Sequence, residues 1–166
     1  TLEDVFDDLE KQQNKHKRGG HPGLYIIDSL DALTTRAALK RGIDEASYGL
    51  EKQNLLSVKL FAGLIRKIRE ANCCLMIISQ VREIINPMFG EKYRRAGGKA
   101  LSFYVSQEVW LSHIKRLAVT RGGMKRATGV VIRALCKKNK VTVAFRECEF
   151  TLRFNFGVDD IEASVA

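Results

Sequence analysis

The 166-residue sequence contains only two prolines and one tryptophan, and it has no long run of apolar residues. A membrane-spanning helix needs roughly 18 or more consecutive apolar residues, so none is predicted here. The hydrophobic fraction of 45% is instead typical of a globular protein of this length, with one sizeable core. No signal peptide is found. The chain begins at Thr1 and shows helical spacing at once, so we expect it to be cut from a longer protein.

The four cysteines lack the CxxC pairs and the spacing typical of metal sites. Cys73 and Cys74 are adjacent within an apolar run, Cys136 lies in a second apolar run, and Cys148 stands alone. This pattern predicts reduced core thiols in a cytoplasmic protein rather than a disulfide framework.

Acidic residues are also in deficit, because 19 aspartates and glutamates face 28 lysines and arginines, giving a net charge of +9. This surplus favours a polyanionic partner. Composition alone does not separate nucleic acid from anionic lipid, and a basic surface can also serve only to keep a protein soluble.

Hydrophobic periodicity predicts alternating helices and strands in the first half of the chain. We expect a helix over Leu2–Lys15, a basic glycine-rich linker over Lys15–Gly23, a buried strand over Leu24–Ser29, and a helix over Leu50–Ala71. A strand buried on both faces follows from Cys73, and the two strands flanking a long helix are expected to be parallel. Residues 34–48 are polar and show no periodicity, and Gly42 and Gly49 are predicted to bound a loop.

The second half of the chain is predicted to be mainly antiparallel. A short helix is expected from Gly98 to about Tyr104, followed by strands over Glu108–Ile114, Gly129–Leu135 and Thr142–Phe156. A basic turn over Thr120–Arg126 separates the first two of these strands.

Two polar side chains end the predicted parallel strands, namely Asp28 and Gln80. Ligands bind at the carboxyl ends of such strands, and an apolar strand ending in aspartate can hold Mg²⁺ through its water ligands. Two structural alternatives remain open: Asp28 can cap the following turn, and Gln80 can make an edge hydrogen bond to the backbone.

The segment after Gln80 is predicted to be a basic loop that binds nucleic acid. Its cations outnumber Glu83 and Glu91, while Ile85 and Phe89 are suited to stack on bases. The cations are Arg82, Lys92, Arg94 and Arg95. The alternative is that this charge run is only a solvated surface.

Four motifs in this order resemble the bacterial RecA-type recombinases over about residues 24–157. IISQ followed by VREIINPMFGEKYRRAGGKALSFYVS is similar to the second DNA-binding loop and the helix after it. LYIIDSLDALTT is similar to the second nucleotide-binding motif, Gly42–Leu50 resembles the first DNA loop, and Lys138-Asn139-Lys140 matches a K-N-K run.

The resemblance implies a site that couples ATP to DNA. Asp28 and Ser29 would organise magnesium, through water, and the hydrolytic water, while Gln80 would sense the γ-phosphate. Lys138 and Lys140 would reach the ATP of the neighbouring subunit and stabilise charge in the transition state. The remaining implied positions are the DNA contacts Tyr48, Arg82, Ile85, Lys92, Arg94, Arg95, Gly97 and Gly98, and the subunit-interface residue Phe103.

The sequence departs from the family pattern in several places. It has no GxxxxGK[ST] phosphate loop, because Tyr93 and Ala100 replace required residues around Gly97-Gly98-Lys99. Tyr48 replaces the usual methionine, and Ser79 stands where asparagine is common. We therefore weigh two explanations: the chain is a piece of a full recombinase, or it belongs to a paralogue that lost the nucleotide site.

The resemblance implies an α/β fold: a partial RecA-type core with a mostly parallel central sheet flanked by helices and a C-terminal antiparallel extension. We expect one domain over residues 1–166. Its parts are a leading helix and linker (1–23), a strand-helix-strand unit (24–80), a DNA-binding loop (81–97), and a helix with hairpin strands (98–166).

The implied function is that of the central part of an ATP-dependent recombination and repair protein. Such a protein binds single-stranded and double-stranded DNA as a self-associated filament, with ATP and Mg²⁺ as cofactors and no membrane partner. The parent is expected to be a DNA-dependent ATPase, whereas this chain alone is expected to be inactive. The alternatives are a RecA-fold helicase or repair ATPase, and a non-catalytic DNA-binding or regulatory paralogue.

Overall fold

A computed structural model describes residues 1–16, 21–40, 55–56, 61–83, 93–95 and 100–159 of the chain. They divide into an N-terminal unit, Thr1–Tyr104, and a C-terminal unit, Val105–Ala166. No described helix is long and apolar enough to cross a membrane.

The N-terminal unit combines short helices with a parallel strand pair. Its elements are α1 (Leu2–His16), β1 (Gly23–Asp28), a 3₁₀ helix (Leu30–Ala32), α2 (Arg36–Lys40), α3 (Phe61–Glu70), β2 (Cys73–Ile78), β3 (Val81–Glu83), β4 (Tyr93–Arg95) and α4 (Ala100–Tyr104). The predicted leading helix, both parallel strands and the short helix before Tyr104 are confirmed. The first half of the predicted helix over residues 50–71 lies mostly outside the described residues.

β1 and β2 pair in parallel, with Asp28 opposite Ile78 at their carboxyl ends. Alternate side chains point to opposite faces, and one face meets the core. The core of this unit is built mainly from α1, β1, the 3₁₀ helix, α3 and α4. Its buried apolar residues are Leu2, Phe6, Leu9, Ile27, Leu30, Leu56, Leu64, Ala71 and Leu101.

The other face of the β1–β2 pair is exposed, so the prediction of strands buried on both faces is wrong for this structure. Leu24 and Ile26 on β1 and Met76 and Ile78 on β2 form an apolar row open to solvent. A strand that is apolar throughout does not reveal which of its faces is covered, because every position carries the same signal.

Acidic side chains attach α1 to the rest of this unit. Arg36 pairs with Asp4 and with Asp7, and Lys67 donates a hydrogen bond to Glu10 at 2.6 Å. The Tyr25 hydroxyl donates to Asp8 at 3.2 Å. Burial and the neighbouring carboxylate of Asp8 raise the pKa of Tyr25.

The C-terminal unit is a four-stranded antiparallel sheet in the order β5–β6–β7–β8. The strands are β5 (Gln107–Arg121), β6 (Met124–Asn139), β7 (Glu147–Arg153) and β8 (Gly157–Val158). The predicted basic turn is much shorter than expected, since only Gly122 and Gly123 leave the ladder. Both adopt positive φ angles, of 56° and 76°, as a tight two-residue hairpin requires.

The prediction of a mostly parallel central sheet is not confirmed, because β1 and β2 are the only parallel pair among the described strands. The antiparallel C-terminal extension agrees with the prediction. The prediction of core thiols is wrong: the cysteines are free, but Cys74 and Cys148 are exposed and the other two are only partly buried.

Candidate functional site

Two candidate sites can be built from the described residues, and each lies within one unit. The first is a strand-end cluster at the carboxyl ends of β1 and β2, which we define as Asp28, Ser29, Asp31, Ser79 and Gln80. The second is the end of β6, where the K-N-K run lies.

β1 and β2 bring Asp28 and Gln80 to the same edge of the sheet, as the sequence predicts. Asp28 is the last residue of β1 and is exposed, and it pairs in register with Ile78, two residues before Gln80. Adjacent strands lie about 4.8 Å apart, so the two chain ends emerge side by side. The peptide bond between Asp28 and Ser29 is cis.

Ser29 precedes the 3₁₀ helix as its N-cap residue, and its side chain makes no capping hydrogen bond. The backbone carbonyl of Ser29 accepts from the Ala32 amide at 3.2 Å. Leu30, fully buried, anchors this turn in the core. The Ser29 hydroxyl is therefore not used by the helix that it begins, which suits a role toward a ligand.

Asp31 connects the two strand ends, and the sequence reasoning missed it. One carboxylate oxygen, Oδ2, accepts hydrogen bonds from the Ser79 hydroxyl at 3.0 Å and from the Gln80 backbone amide at 2.6 Å. The other oxygen, Oδ1, is buried and has no hydrogen-bond partner among the described residues. The sequence offers only a lone acid after a strand, and its partners lie 48 and 49 residues later.

The predicted DNA loop has a regular base. β3 and β4 form an antiparallel ladder in which Arg82 lies opposite Arg94 and Val81 opposite Arg95. Within the predicted loop, Val81–Glu83 and Tyr93–Arg95 are therefore strands and not loop. Arg82 is exposed. Of the other predicted DNA contacts, Tyr48, Ile85, Lys92, Gly97 and Gly98 lie outside the described residues.

The predicted interface residue Phe103 lies on α4 and is 73% exposed. Such exposure of a large aromatic side chain has a cost in water. Phe103 therefore presents most of its surface to solvent.

At the end of β6, Asn139 organises the two lysines of the K-N-K run. Its side-chain oxygen accepts from the amides of Val141 at 2.9 Å and Thr142 at 3.1 Å, and so closes an Asx-type turn. The Lys140 amide donates to the Ser106 carbonyl at 2.9 Å. Lys138 is partly buried and Lys140 is exposed. Asn139 thus fixes the backbone that carries both cations.

The lysine before this run has a different environment. Lys137 lies with its Nζ atom 3.7 Å from the centre of the Trp110 ring. The indole of Trp110 donates to Glu108 at 2.7 Å. Lys137 is therefore held by a cation–π contact, and it is a natural control for its neighbour Lys138.

The tip of the β5–β6 hairpin forms a cationic surface. The β5–β6 tip, which we define as residues 114–127, contains no acidic residue. Its cations are all exposed: Lys115, Arg116, Arg121, Lys125 and Arg126. The sequence indicated part of this surface as a basic turn, although it lies mainly on strands.

The described residues contain no group of three or more His, Cys, Asp or Glu side chains that could hold a metal ion directly. The oxygen donors of the strand-end cluster nevertheless suit a hard cation held through water, because Asp28 is an exposed carboxylate beside a hydroxyl. The donor set therefore fits magnesium better than a soft metal.

Comparison with known proteins gives a consistent result. The family described as RecA N-terminal domain matches residues 9–159. Protein RecA of Chlamydia trachomatis serovar L2 is 34% identical over 143 residues, covering 85% of this chain and 39% of that protein. Protein RecA of Allochromatium vinosum is 30% identical over 141 residues, with 85% and 39% covered. The chain thus spans about two fifths of the length of these relatives.

Proposed function

Because this chain belongs to the RecA N-terminal domain family, we propose that it is the central part of an ATP-dependent recombination and DNA-repair protein. The whole protein would coat single-stranded DNA as a filament, accept double-stranded DNA and promote strand exchange. One observation carries this proposal: Asp28 ends β1, Gln80 lies two residues after the adjacent parallel strand β2, and Asp31 links the two strand ends through a hydrogen bond.

At the nucleotide end, Asp28 and Ser29 would hold Mg²⁺ through its water ligands. Bound magnesium would neutralise charge on the phosphates of ATP. The exposed Gln80 amide group can donate to a phosphate oxygen and accept from a water. Since Val81 begins β3 directly after Gln80, a shift of Gln80 would move the base of the DNA-binding segment.

At the DNA end, the β3–β4 ladder supplies opposed cations. Arg82 and Arg94 occupy directly opposite positions, and like charges so placed destabilise an antiparallel pair. A phosphate between them would remove that repulsion. DNA binding should therefore stabilise this ladder, and ordering of the ladder should in turn favour DNA binding.

The β5–β6 tip supports a second contact with the DNA backbone. Five exposed cations without an intervening acid form a surface that can displace the counterions of a phosphate chain. Such contacts position a nucleic acid without reading its sequence, which suits a protein that pairs arbitrary homologous strands.

Filament formation would complete the nucleotide site. We propose that Lys138 and Lys140 face the ATP of the neighbouring subunit, and that Phe103 packs at the interface. The exposure of Phe103 and the fixed backbone around Asn139 support this arrangement. In the whole protein, β1 and β2 would lie within a larger, mostly parallel sheet, and helices packed on that sheet would cover the exposed apolar row on β1 and β2.

The proposal is tested with the full-length gene product. We expect single-stranded DNA to stimulate its ATP hydrolysis, and we expect joint molecules between circular single strands and homologous linear duplex. Duplex unwinding without homologous pairing would instead favour a RecA-fold helicase. DNA binding with no ATP binding would favour a regulatory paralogue, and either result would overturn the proposal.

A further inference from the structure

We propose that Asp31 is a positioning residue that fixes the backbone of Gln80 and thereby couples the nucleotide end of the strand-end cluster to the DNA-binding segment. This inference rests on the function proposed above, in which Gln80 senses ATP. Asp31 lies within LYIIDSLDALTT, but the resemblance of that motif assigns no role to its carboxylate.

The backbone that carries Asp31 is anchored by the 3₁₀ helix. It is the central residue of the 3₁₀ helix, which follows Asp28 after the single residue Ser29. Leu30 is fully buried, and the Leu33 amide donates to the Leu30 carbonyl at 3.3 Å. A movement at Asp28 and Ser29 therefore reaches the Asp31 carboxylate through a short, anchored turn.

At the end of β2, the Asp31 carboxylate accepts hydrogen bonds from two consecutive residues. The Ser79 hydroxyl and the Gln80 amide both donate to the same oxygen, at 3.0 and 2.6 Å. Hydrogen bonds to a charged acceptor are roughly twice as strong as neutral ones. Because Asp31 binds the backbone amide of Gln80 and not its side chain, Asp31 fixes the backbone position from which that side chain extends.

The bonding of Asp31 is also asymmetric. Oδ2 has two donors, whereas the buried Oδ1 has none within the part of the chain that the structure describes. No ion pair among the described residues includes Asp31. The described hydrogen bonds of the Asp31 carboxylate therefore go to Ser79 and Gln80, and no described arginine competes for it.

The test measures coupling, defined as the ratio of single-stranded DNA affinity with and without a non-hydrolysable ATP analogue and Mg²⁺, in the full-length protein. Asp31→Ala should lower this ratio on the order of tenfold, since two charge-assisted bonds are lost. Nucleotide affinity and DNA affinity without nucleotide should each stay within about twofold of wild type. Asp31→Asn, which keeps an acceptor oxygen, should recover part of the loss.

Two further variants make the test specific. Asp8→Ala removes another carboxylate of the N-terminal unit, one that accepts from Tyr25, and should leave coupling unchanged. Ser79→Ala removes one of the two donors and should lower coupling less than Asp31→Ala. It serves as the primary variant if Asp31→Ala fails to fold. Amide hydrogen exchange at Gln80 should be faster in Asp31→Ala than in wild type.

The outcomes separate this inference from the proposed function. Wild-type coupling that persists in Asp31→Ala, or in Ser79→Ala where only that variant folds, would overturn the role of Asp31 and leave the proposed function standing. Wild-type protein without any coupling would overturn the proposed function and this inference with it. Loss of coupling in Asp8→Ala to the same extent would also overturn the inference.

Discussion

The two units of the chain place their functional residues in different ways. In the N-terminal unit, two six-residue strands end together, and side chains from segments far apart in sequence meet at one edge. In the C-terminal unit, strands of 15 and 16 residues form a long hairpin, and the candidate residues lie along it or at its end. The first arrangement suits a compact ligand, whereas the second suits an extended one.

This difference also appears in what stabilises each unit. The N-terminal unit buries leucines and a phenylalanine between helices and one sheet face. In the C-terminal unit, large apolar residues such as Val109 and Leu111 remain exposed. This unit is stabilised mainly by the backbone hydrogen bonds of the long β5–β6 ladder. Substitutions should therefore affect the two units by different mechanisms, and four predictions test this.

The largest effect is expected at the end of β6. Lys138→Ala should lower DNA-stimulated ATP turnover of the full-length protein on the order of 10³-fold, because a charge that acts on the transition state is lost. Binding of ATP to the monomer should be nearly unchanged, as measured by equilibrium titration.

Lys137→Ala is the matched control, since Lys137 contacts Trp110 and lies at the register shift between the pairs Glu108–Lys138 and Val109–Cys136. Turnover in this variant should stay within about twofold of wild type. A loss of monomer ATP binding in Lys138→Ala would contradict the assignment of Lys138 to a neighbouring subunit.

A pair of leucines compares the packing of the two units. Leu9 on α1 is 1% exposed and Leu111 on β5 is 64% exposed. Leu9→Ala should lower the free energy of unfolding by about 2–5 kcal/mol, whereas Leu111→Ala should change it by less than about 0.5 kcal/mol. Urea denaturation of the 166-residue chain measures both values. Equal losses would mean that the exposed face of the C-terminal unit is covered in solution.

A pair of glycines compares backbone contacts. A Cβ atom at Gly129 would lie 2.6 Å from the carbonyl oxygen of Leu152 on β7, whereas one at Gly63 on α3 would meet nothing within 4 Å. Gly129→Ala should therefore destabilise the chain by about 1–3 kcal/mol.

Gly63→Ala should stabilise it by up to about 1 kcal/mol, because alanine favours a helix. Thermal unfolding of the two variants distinguishes the expected loss of stability in Gly129→Ala from the expected gain in Gly63→Ala. A neutral Gly129→Ala would show that β6 and β7 are not closely paired at this point.

The smallest effect is expected for the acidic attachment of α1. Hydrogen bonds from Thr1, including its α-amino group, and from Arg36 hold the pKa of Asp4 well below its usual range. A lowered pKa contributes stability above the unfolded value of about 3.9, and this stability is lost as the pH falls toward the folded value. Asp4 is fully exposed, so solvent screening keeps the contribution small.

Asp4→Asn should accordingly be slightly less stable than wild type at neutral pH, and the difference should narrow below about pH 4. Denaturation at a series of pH values measures this narrowing. A difference that grows on acidification would contradict the role of the Asp4 carboxylate.

Local patterns predicted much of the fold. Helical spacing predicted α1 and the part of α3 that the structure describes, and apolar runs predicted β1 and β2. The helix α2 was missed, although Thr35 supplies a signal: its hydroxyl accepts from the Ala38 amide at 3.1 Å, as a helix-capping residue does. The strands β5 and β6 are longer than predicted because both faces of the hairpin tip are exposed, so no apolar alternation marks them.

The sequence predicted a site residue only where that residue stands in a recognisable local pattern or motif. Asp28 and Gln80 were predicted from their place after apolar strands, and Lys138 and Lys140 from resemblance. Asp31 and Asn139 act through hydrogen bonds to backbone amides. For Asp31, the partners become neighbours only through the pairing of β1 with β2, which no local pattern encodes.

The central claim is that Gln80 couples ATP to the DNA-binding segment. The most direct measurement is the affinity of full-length Gln80→Ala for single-stranded DNA, with and without a non-hydrolysable ATP analogue and Mg²⁺. We predict that the analogue tightens DNA binding of the wild type, still binds to the variant, and no longer changes the variant's DNA affinity. An equal response in both proteins would contradict the claim.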